Sequence, residues 1–373
     1  MIYLDYAANT PADEQVINIF GEVSKNFIAN PNSSHKLGLL AAERLKESTV
    51  KIAKLLNVQE NEIIYTSGAS ESNNLAIKGI AGQYKKYGKH IITTYLEHSS
   101  VNGAVEYLKN NGYEVDYVDI DNNGLVDLQS LKELIRKDTI LVSVCYVDGE
   151  VGITQRITEI ARLISDYPNC YFHTDATQAA GKIPVSFENA DLVTFAPHKF
   201  YGLNGCGMLI KKENVLLEPL IHGGISTTEF RSGTPSLNMI AAAEKALSLA
   251  YESLEYRYNY VKDINLKVRN ALIKYKDVKI NSTEYSVPYI LNISINKVNT
   301  EHFKAALEKF DIFVSTKSAC CAPNTASRPV YALTKDRKRA LSTLRISFSH
   351  LTGEKDIEVF LEKFDECYTN LVK

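Results

Sequence analysis

Short runs of β-branched residues alternate with helical patterns between about residues 60 and 215. The helical patterns at 127–137 and 157–167 carry apolar residues three and four positions apart. Alternation of this kind is typical of βαβ units, which join parallel strands within one sheet. The sequence therefore predicts an α/β fold around a mostly parallel sheet, with strand candidates at 62–66, 90–94, 113–118, 139–147, 170–174, 191–196 and 207–210.

The length of the chain predicts two domains. Its 373 residues exceed the roughly 250–300 at which single hydrophobic cores stop growing. A helical pattern over about 236–275 is longer than an ordinary helix and would suit a connector between domains. The strand and helix patterns that follow it predict a smaller α+β domain. We expect a large domain over 13–255 and a small domain formed by 1–12 and 256–373.

Composition and charge exclude several classes of protein. Hydrophobic residues make up 45% of the chain and charged residues 23%, which excludes a mainly disordered protein. The formal charge of −2 gives no basic field, so we expect no nucleic acid as a partner. No segment approaches the ~18 apolar residues that span a bilayer, and the N-terminus does not resemble a secretory signal. We predict a soluble cytoplasmic protein without a membrane partner.

Six cysteines occur without CxxC spacing, which argues against a zinc site and a disulfide framework. Cys145, Cys170 and Cys206 lie in apolar or strand-like contexts, where we expect buried free thiols. Cys320 and Cys321 are adjacent within the segment "STKSACCAPNTASRP". Taken alone, that segment is compatible with a turn, a metal site, half of a disulfide or a nucleophile on a movable loop.

Candidate functional residues follow the predicted strands, where open parallel sheets bind their ligands. Residues 67–70 open a helix whose N–H groups would suit a phosphate, although a plain N-cap explains such a segment more often. Asp175 could hold a pyridinium nitrogen or cap a helix. His98 could stack on a flat ring or be a satisfied polar residue. Lys199 lies among apolar residues that would lower the pKa of its amine and favour a Schiff base, although most lysines are solvated.

The chain resembles the cysteine desulfurases, because it carries six of their characteristic residues in the same order: Ser70, His98, Asp175, Gln178, His198 and Lys199. These are fold-type I pyridoxal-phosphate enzymes, also called class V aminotransferases. The resemblance implies a large domain with a mostly parallel seven-stranded sheet and a smaller α+β domain. It covers almost the whole chain and rests on "YLDYAANTP" at the start, "NPNSSH" 30–35, "TSGASESNNLAIKG" 66–79, "LEHSSV" 96–101, "HTDATQAAGKIP" 173–184, "HKFYG" 198–202, "FRSGT" 230–234, "SAC" 318–320 and "LRISF" 344–348.

The resemblance implies pyridoxal 5'-phosphate as the cofactor. Lys199 would carry it covalently, and Asp175 would pair with its pyridine nitrogen, which makes the ring an electron sink. His98 would stack on the ring and take part in catalysis, and Gln178 would hydrogen-bond the phenolic oxygen. The phosphate would be held by Ala69, Ser70 and His198, and by Thr234 of the neighbouring subunit, which implies a homodimer.

The resemblance also implies the reaction. Lys199 and Cys320 would be catalytic, with Cys320 as the thiolate that attacks the substrate sulfur. Arg345 and Asn32 would bind the substrate, L-cysteine, which leaves as L-alanine. The persulfide on Cys320 would pass to a sulfur-acceptor protein, such as an iron-sulfur scaffold or a member of a thiolation pathway.

Several positions depart from the family's pattern, and two of them lie in the expected site. Gly149 stands where the family commonly has Asn, and Ala196 where it commonly has a phosphate-binding Ser or Thr; Cys321 is an extra thiol. These departures keep two alternatives open. One is another class V enzyme, a selenocysteine or cystine lyase or an aminotransferase. The other is a weakened homologue that acts as a binding protein. The loop cysteine favours sulfur chemistry, because an ordinary transaminase has no use for it.

Overall fold

The computed structural model describes residues 1–316 and 325–372. No helix within these two ranges is both long enough and apolar enough to span a membrane. The large sheet has seven strands in the order β2-β8-β7-β6-β5-β3-β4, and only β8 runs antiparallel to its neighbours. Its strands are β2 Ile63–Thr66, β3 His90–Thr93, β4 Glu114–Tyr117, β5 Thr139–Ser143, β6 Tyr171–Asp175, β7 Leu192–Phe195 and β8 Gly207–Lys211. All seven strand candidates of the sequence are confirmed.

Helices cover both faces of this sheet. Alternate residues of a strand enter different hydrophobic clusters: Leu192 packs in one and Val193 in the other. Burial on both faces explains why the strands read as nearly continuous apolar runs. The helices of this part are α1 Glu14–Asn26, α2 Lys36–Leu56, α3 Ala69–Tyr84, α4 Ser99–Asn110, α5 Leu128–Leu134, α6 Ile157–Ile164 and α7 Leu237–Glu252, with short 3-10 helices at Glu60–Glu62 and Pro197–Lys199.

A smaller antiparallel sheet has the strand order β12-β10-β9. Its strands are β9 Val278–Ile280, β10 Ile290–Ile295 and β12 Thr343–Ser347, and the accompanying helices are α8 Leu254–Leu272, α9 Thr300–Glu308, α10 Arg328–Thr334, α11 Arg337–Leu341 and α12 Glu354–Leu371. The N-terminal strand β1 Ile2–Tyr3 pairs in parallel with β11 Ile312–Phe313. Asp5 then bridges to Ser347 at the end of β12. The proposed domain boundaries stay a prediction.

The helical pattern over 236–275 was expected as one long connector, and the structure divides it into two helices. The break lies at Ser253, whose backbone leaves the helical region at φ −114° and ψ 12°. The Ser253 hydroxyl donates to Leu249 O at 2.6 Å, a local bond that competes with helix continuation. The interruption lets α7 pack against α1 and α2 while α8 packs against α12 and β10.

Candidate functional site

A cavity of about 410 Å³ lies at the carboxyl edge of the large sheet. The segments that follow β2, β3, β5, β6 and β7 all end there, because these five strands run in the same direction. Eight of the predicted site residues line this one cavity: Ala69, Ser70, His98, Asp175, Gln178, His198, Lys199 and Arg345. Residues that are up to 276 positions apart in sequence thus meet at one site.

The start of α3 forms one wall of the cavity. The helix begins at Ala69, and no side chain within the described ranges caps it. A Cβ at Gly207 of β8 would lie 2.4 Å from the carbonyl carbon of Gly68, so only glycine lets the strand approach the helix start this closely. Open N–H groups at the start of a 16-residue helix favour an anion.

An acidic side chain in the first turn of α3 is neutralised locally. Glu71 accepts a hydrogen bond from the backbone N–H of Ser67 at 2.8 Å and one from Arg231 Nε at 2.9 Å. Burial alone would raise the pKa of Glu71, but the bonds from Arg231 and Ser67 lower it. Because Arg231 pairs with this carboxylate, the helix start stays compatible with a bound anion.

Asp175 is held at the end of β6 with 6% of its surface exposed. Its Oδ2 accepts from Asn73 Nδ2 at 2.7 Å, and its Oδ1 accepts from the backbone N–H of Thr177 at 2.9 Å. Asn73 also donates to Ser100 Oγ at 2.9 Å. The carboxylate keeps lone pairs for a further donor in the cavity. The sequence reasoning missed Asn73, although a polar residue on the inner face of α3 was a usable signal.

His98 caps the N-terminus of α4 and borders the cavity. Its Nδ1 accepts from the backbone N–H of Ser100 at 3.2 Å. The surrounding protein displaces water and lowers the pKa of His98; Asp175 opposes this effect and Lys199 adds to it. The ring is therefore largely neutral at pH 7, which suits it for stacking on a flat group.

Lys199 and His198 follow β7 in a short 3-10 helix. Lys199 Nζ donates to Ala8 O at 2.5 Å and to Ala7 O at 3.1 Å. The backbone N–H of Thr10 donates to His198 O at 3.1 Å, so the N-terminal segment lies directly against these residues. Burial lowers the pKa of His198 to about 4, and Lys199 is the next contributor. His198 is therefore neutral at physiological pH and presents a neutral ring to the cavity.

Gln178 is fixed by two hydrogen bonds. Its Nε2 donates to Ala7 O at 2.8 Å, and its Oε1 accepts from Lys182 Nζ at 2.7 Å. Lys182 is only 7% exposed, and burial, followed by the charges of Lys199 and Arg345, lowers its pKa to about 7. The sequence reasoning did not single out Lys182, although a lysine inside the apolar stretch "QAAGKIP" was a signal.

Arg345 of β12 brings the small sheet to the cavity. One of its terminal nitrogens donates to Gly149 O and the other to Asp5 Oδ1, each at 2.8 Å. The residue is 2% exposed, and its Nε is buried without a hydrogen-bond partner among the described residues. Arg345 lines the cavity, and each terminal nitrogen carries a second N–H, so the guanidinium can offer further donors to a carboxylate.

Two predicted residues lie outside the cavity of their own chain. Thr234 and Asn32 are exposed; Asn30 Nδ2 donates to Thr234 Oγ1 at 3.4 Å, and Asn32 Nδ2 donates to Ser226 Oγ at 2.8 Å. The α1–α2 connection and the 226–234 segment thus form one surface. The roles of Thr234 and Asn32 stay predictions.

The predicted nucleophile Cys320 and its neighbour Cys321 lie outside the described residues. The four described cysteines, Cys145, Cys170, Cys206 and Cys367, are free and buried, as expected for the first three. Of these, only Cys145 lines the cavity. Burial, with Glu97 as the next contributor, raises the pKa of its thiol, which makes it a poor nucleophile.

The chain matches the family model described as "Aminotransferase class-V" over residues 2–360. A protein of Neisseria meningitidis serogroup C (strain 053442) named "Cysteine desulfurase IscS" is 39% identical over 371 residues, covering 97% of this chain and 90% of that protein. The match to this relative therefore extends over nearly the whole chain.

Solved structures give the same result. A structure described as "NIFS-LIKE PROTEIN" superposes with a TM-score of 0.93 at 32% identity, covering 99% of this chain and 100% of that one. Another, described as "SspA in complex with cysteine", has a TM-score of 0.82 at 30% identity, covering 93% of this chain and 99% of that one. The fold expected from the sequence is confirmed.

Proposed function

Because the chain belongs to the class V aminotransferase family, among its cysteine desulfurases, we propose that it removes sulfur from L-cysteine with pyridoxal 5'-phosphate. The products are L-alanine and a persulfide on Cys320. The observation that carries the proposal is the single cavity shared by Lys199, Asp175, His98 and Arg345. An amine, a carboxylate, a flat neutral ring and a guanidinium are the groups that this chemistry requires.

The cavity fits the proposed cofactor. The uncapped start of α3 suits a phosphate, with Ala69, Ser70 and His198 beside it. Asp175 retains lone pairs for a protonated ring nitrogen, and Lys199 supplies the amine for covalent attachment. Bound pyridoxal phosphate would supply an electron sink for the charge that develops on the substrate Cα. Ala196 has only a methyl side chain, so it offers the phosphate no side-chain hydrogen bond.

Arg345 would bind the substrate carboxylate. It lines the cavity, and its contacts to Asp5 and Gly149 orient the guanidinium. A planar fork held in this way suits a carboxylate better than a point charge would. The similar structure described as "SspA in complex with cysteine" supports an amino acid of this size as the substrate.

The sulfur transfer balances without an external oxidant. The Lys199 amine takes the proton from the substrate Cα, and the Cys320 thiolate attacks the substrate sulfur. The C–S bond breaks and an S–S bond to Cys320 forms. The transferred sulfur is thereby oxidised, and the substrate Cβ, which takes up the proton that left the substrate thiol, is reduced. The proton taken from Cα is returned to it. Cysteine and the enzyme thiol thus become alanine and an enzyme persulfide.

A protein-bound persulfide needs a thiol acceptor. We propose a sulfur-acceptor protein, such as an iron-sulfur scaffold or a member of a thiolation pathway, as the resemblance implies. A cytoplasmic location is part of the proposal, because the four described cysteines are unbridged and a thiol nucleophile needs a reducing compartment.

We propose a homodimer with shared sites. Large apolar side chains are exposed on the α1–α2 connection, the start of α2 and the 220–234 segment: Ile28, Leu37, Leu39, Leu40 and Ile225. An apolar surface of this kind marks an interaction site more often than free surface. Thr234 and Asn32 lie on the same segments, so the dimer would bring them to the neighbouring cavity.

Trapping the persulfide tests the proposal. The protein is incubated with L-cysteine and no added reductant, then alkylated and digested. The mass of the peptide that contains Cys320 is measured by mass spectrometry, and fragmentation assigns any extra sulfur to Cys320 or Cys321. We expect one extra sulfur on Cys320 in the wild type and in Cys321→Ala, and none in Lys199→Ala. Extra sulfur that appears only on Cys321, or equally in Lys199→Ala, would contradict the assignment.

A further inference from the structure

A second buried lysine lies beside the cavity, in the turn that follows β6. Gly181 has φ +70°, and a Cβ there would lie 2.8 Å from the Phe200 ring, so the turn requires glycine. The turn brings the side chain of the next residue, Lys182, into the protein. A buried ammonium is costly unless it has partners, which suggests that Lys182 has a task.

The partner of Lys182 is the amide of Gln178. An ammonium only donates hydrogen bonds, so the atom that faces Lys182 Nζ at 2.7 Å must be the amide oxygen. The amide nitrogen is therefore on the other side, where it donates to Ala7 O at 2.8 Å. The same nitrogen carries a second N–H, which this bond does not use. Gln178 itself lines the cavity, so that N–H is a candidate donor to a bound group.

The neighbourhood of Gln178 increases the importance of this amide. Gly149 supplies no side chain, and a Cβ placed on it would lie 3.8 Å from Gln178 Nε2. An amide side chain at position 149, which the family commonly has, would reach the same part of the cavity. The amide of Gln178 is thus a donor in the part of the cavity next to Gly149, whose backbone oxygen accepts from Arg345.

We propose that Lys182 is a positioning residue, which holds the Gln178 amide with its nitrogen towards the cavity so that the second N–H donates to the phenolic oxygen of the bound cofactor. The inference rests on the proposed function, because it needs pyridoxal phosphate in the cavity. Lys182 acts through Gln178 and does not itself line the cavity.

The charges around Lys182 give the orientation a pH dependence. Lys199 and Arg345 are cations that lower its pKa beyond the effect of burial, and Lys182 in turn lowers the pKa of His198. The Tyr289 ring lies 5.9 Å from Lys182 Nζ. A small cavity on its other side is lined by Tyr6, Tyr201 and Arg257. Loss of the ammonium proton above about pH 7 would leave an amine that can accept as well as donate, so Lys182 would no longer fix which end of the amide faces it.

The test uses Lys182→Met in the holoenzyme. The visible absorbance of the cofactor is titrated with pH, and pyridoxal phosphate affinity is measured by adding it to cofactor-free protein. Loss of the cation and of the oriented N–H both favour a protonated cofactor–lysine linkage. We expect the midpoint to rise by roughly one pH unit and the affinity to fall about tenfold. Lys182→Arg, which keeps a cation with donors, should restore both values towards those of the wild type.

Lys211→Met is the matched control. Lys211 is 2% exposed and donates to the backbone oxygens of Lys212, Glu213 and Val215, away from the cavity. Removing it should lower stability and leave the absorbance midpoint unchanged. A shift as large as that of Lys182→Met would overturn the proposal, because it would show that loss of any buried lysine has this effect.

Gln178→Met tests the same claim through the amide. It should shift the midpoint in the same direction, and adding Lys182→Met to it should shift the midpoint by less than the two single shifts combined, because both changes remove one interaction. Full additivity, or no shift in either single variant, would overturn the inference while leaving the proposed function intact. A wild type without any visible absorbance after addition of pyridoxal phosphate would overturn both.

Discussion

The Arg345 guanidinium is bonded to the Asp5 carboxylate at 2.8 Å, although 340 residues separate them in the chain. Asp5 follows β1, and Arg345 lies in β12. The side chain of Arg345 is 3% exposed and that of Asp5 is 21% exposed. The pair joins the N-terminal segment, which contacts Lys199, to the small sheet that carries the proposed substrate-binding arginine.

Asp5→Ala should destabilise the protein. The change leaves the Arg345 charge buried without its carboxylate, and removing one partner of a buried pair costs about 3 kcal/mol. Unfolding in guanidinium chloride measures the loss of stability as a lower midpoint concentration of denaturant. Asp5→Asn keeps an oxygen acceptor and should lose less than half as much. Equal midpoints for the wild type and Asp5→Ala would show that the pair contributes nothing to stability.

Asn73→Ala should reduce alanine formation. The variant removes a 2.7 Å hydrogen bond to Asp175, and a bond to a charged group contributes about 1.5–3 kcal/mol, so we expect a loss of kcat/KM of at least about tenfold. The control is Asn74→Ala on the same helix, because Asn74 donates to Ser70 O and not to Asp175. A comparable loss in both variants would show that the Asp175 contact is not the cause.

The stability of the protein should depend on pH because of the buried Glu97. Its Oε1 accepts from the backbone N–H of Cys145 and from Thr94 Oγ1, while Oε2 is buried without a partner in the described ranges. Burial raises the pKa of Glu97 to about 8. The unfolded carboxyl ionises near pH 4.3, so between these values the unfolded state binds fewer protons, and stability falls as pH rises.

Glu97→Gln removes this dependence. Between pH 5 and pH 8, the free energy of unfolding of the wild type should fall relative to that of the variant, by up to about 1.4 kcal/mol per pH unit. Unfolding curves at several pH values measure the difference. Glu106→Gln changes an exposed glutamate of α4 and should show no such trend. A constant difference between Glu97→Gln and the wild type would refute the raised pKa.

Gly207→Ala should damage the phosphate end of the cavity. The added Cβ would lie 2.4 Å from Gly68, so β8 or the start of α3 must move, at a cost of about 1–3 kcal/mol. The midpoint temperature of thermal unfolding and the affinity for pyridoxal phosphate should both fall. Gly21→Ala, in α1, meets no atom within 4 Å and should be neutral or stabilising by about 0.5–1 kcal/mol. Unchanged cofactor affinity in Gly207→Ala would contradict the role given to the helix start.

The sheet and most of the cavity were predictable because their signals are local. Buried parallel strands read as short apolar runs, and Asp175, His98 and Lys199 stand directly after such runs. Their common direction in the sheet then brings these residues together. The break at Ser253 was not predictable in this way, because the apolar pattern continues through it and only the packing of α7 and α8 on different partners requires it.

The supporting residues were missed because tertiary contacts create their roles. Three such residues, Asp5, Asn73 and Lys182, bond to predicted site residues, but none stands directly after a strand of the large sheet. The apolar setting of Lys182 in "QAAGKIP" is a signal of burial, but nothing local shows that its partner is Gln178. The roles of such residues become visible only when the partners that they orient are known.

The most direct test of the account is the yield of alanine and sulfide from L-cysteine in the presence of excess thiol reductant, which releases the persulfide sulfur as sulfide. We predict equal amounts of the two products, lost in Lys199→Ala and in Cys320→Ala and retained in Cys321→Ala. Alanine without sulfide, or full activity in Cys320→Ala, would contradict the account.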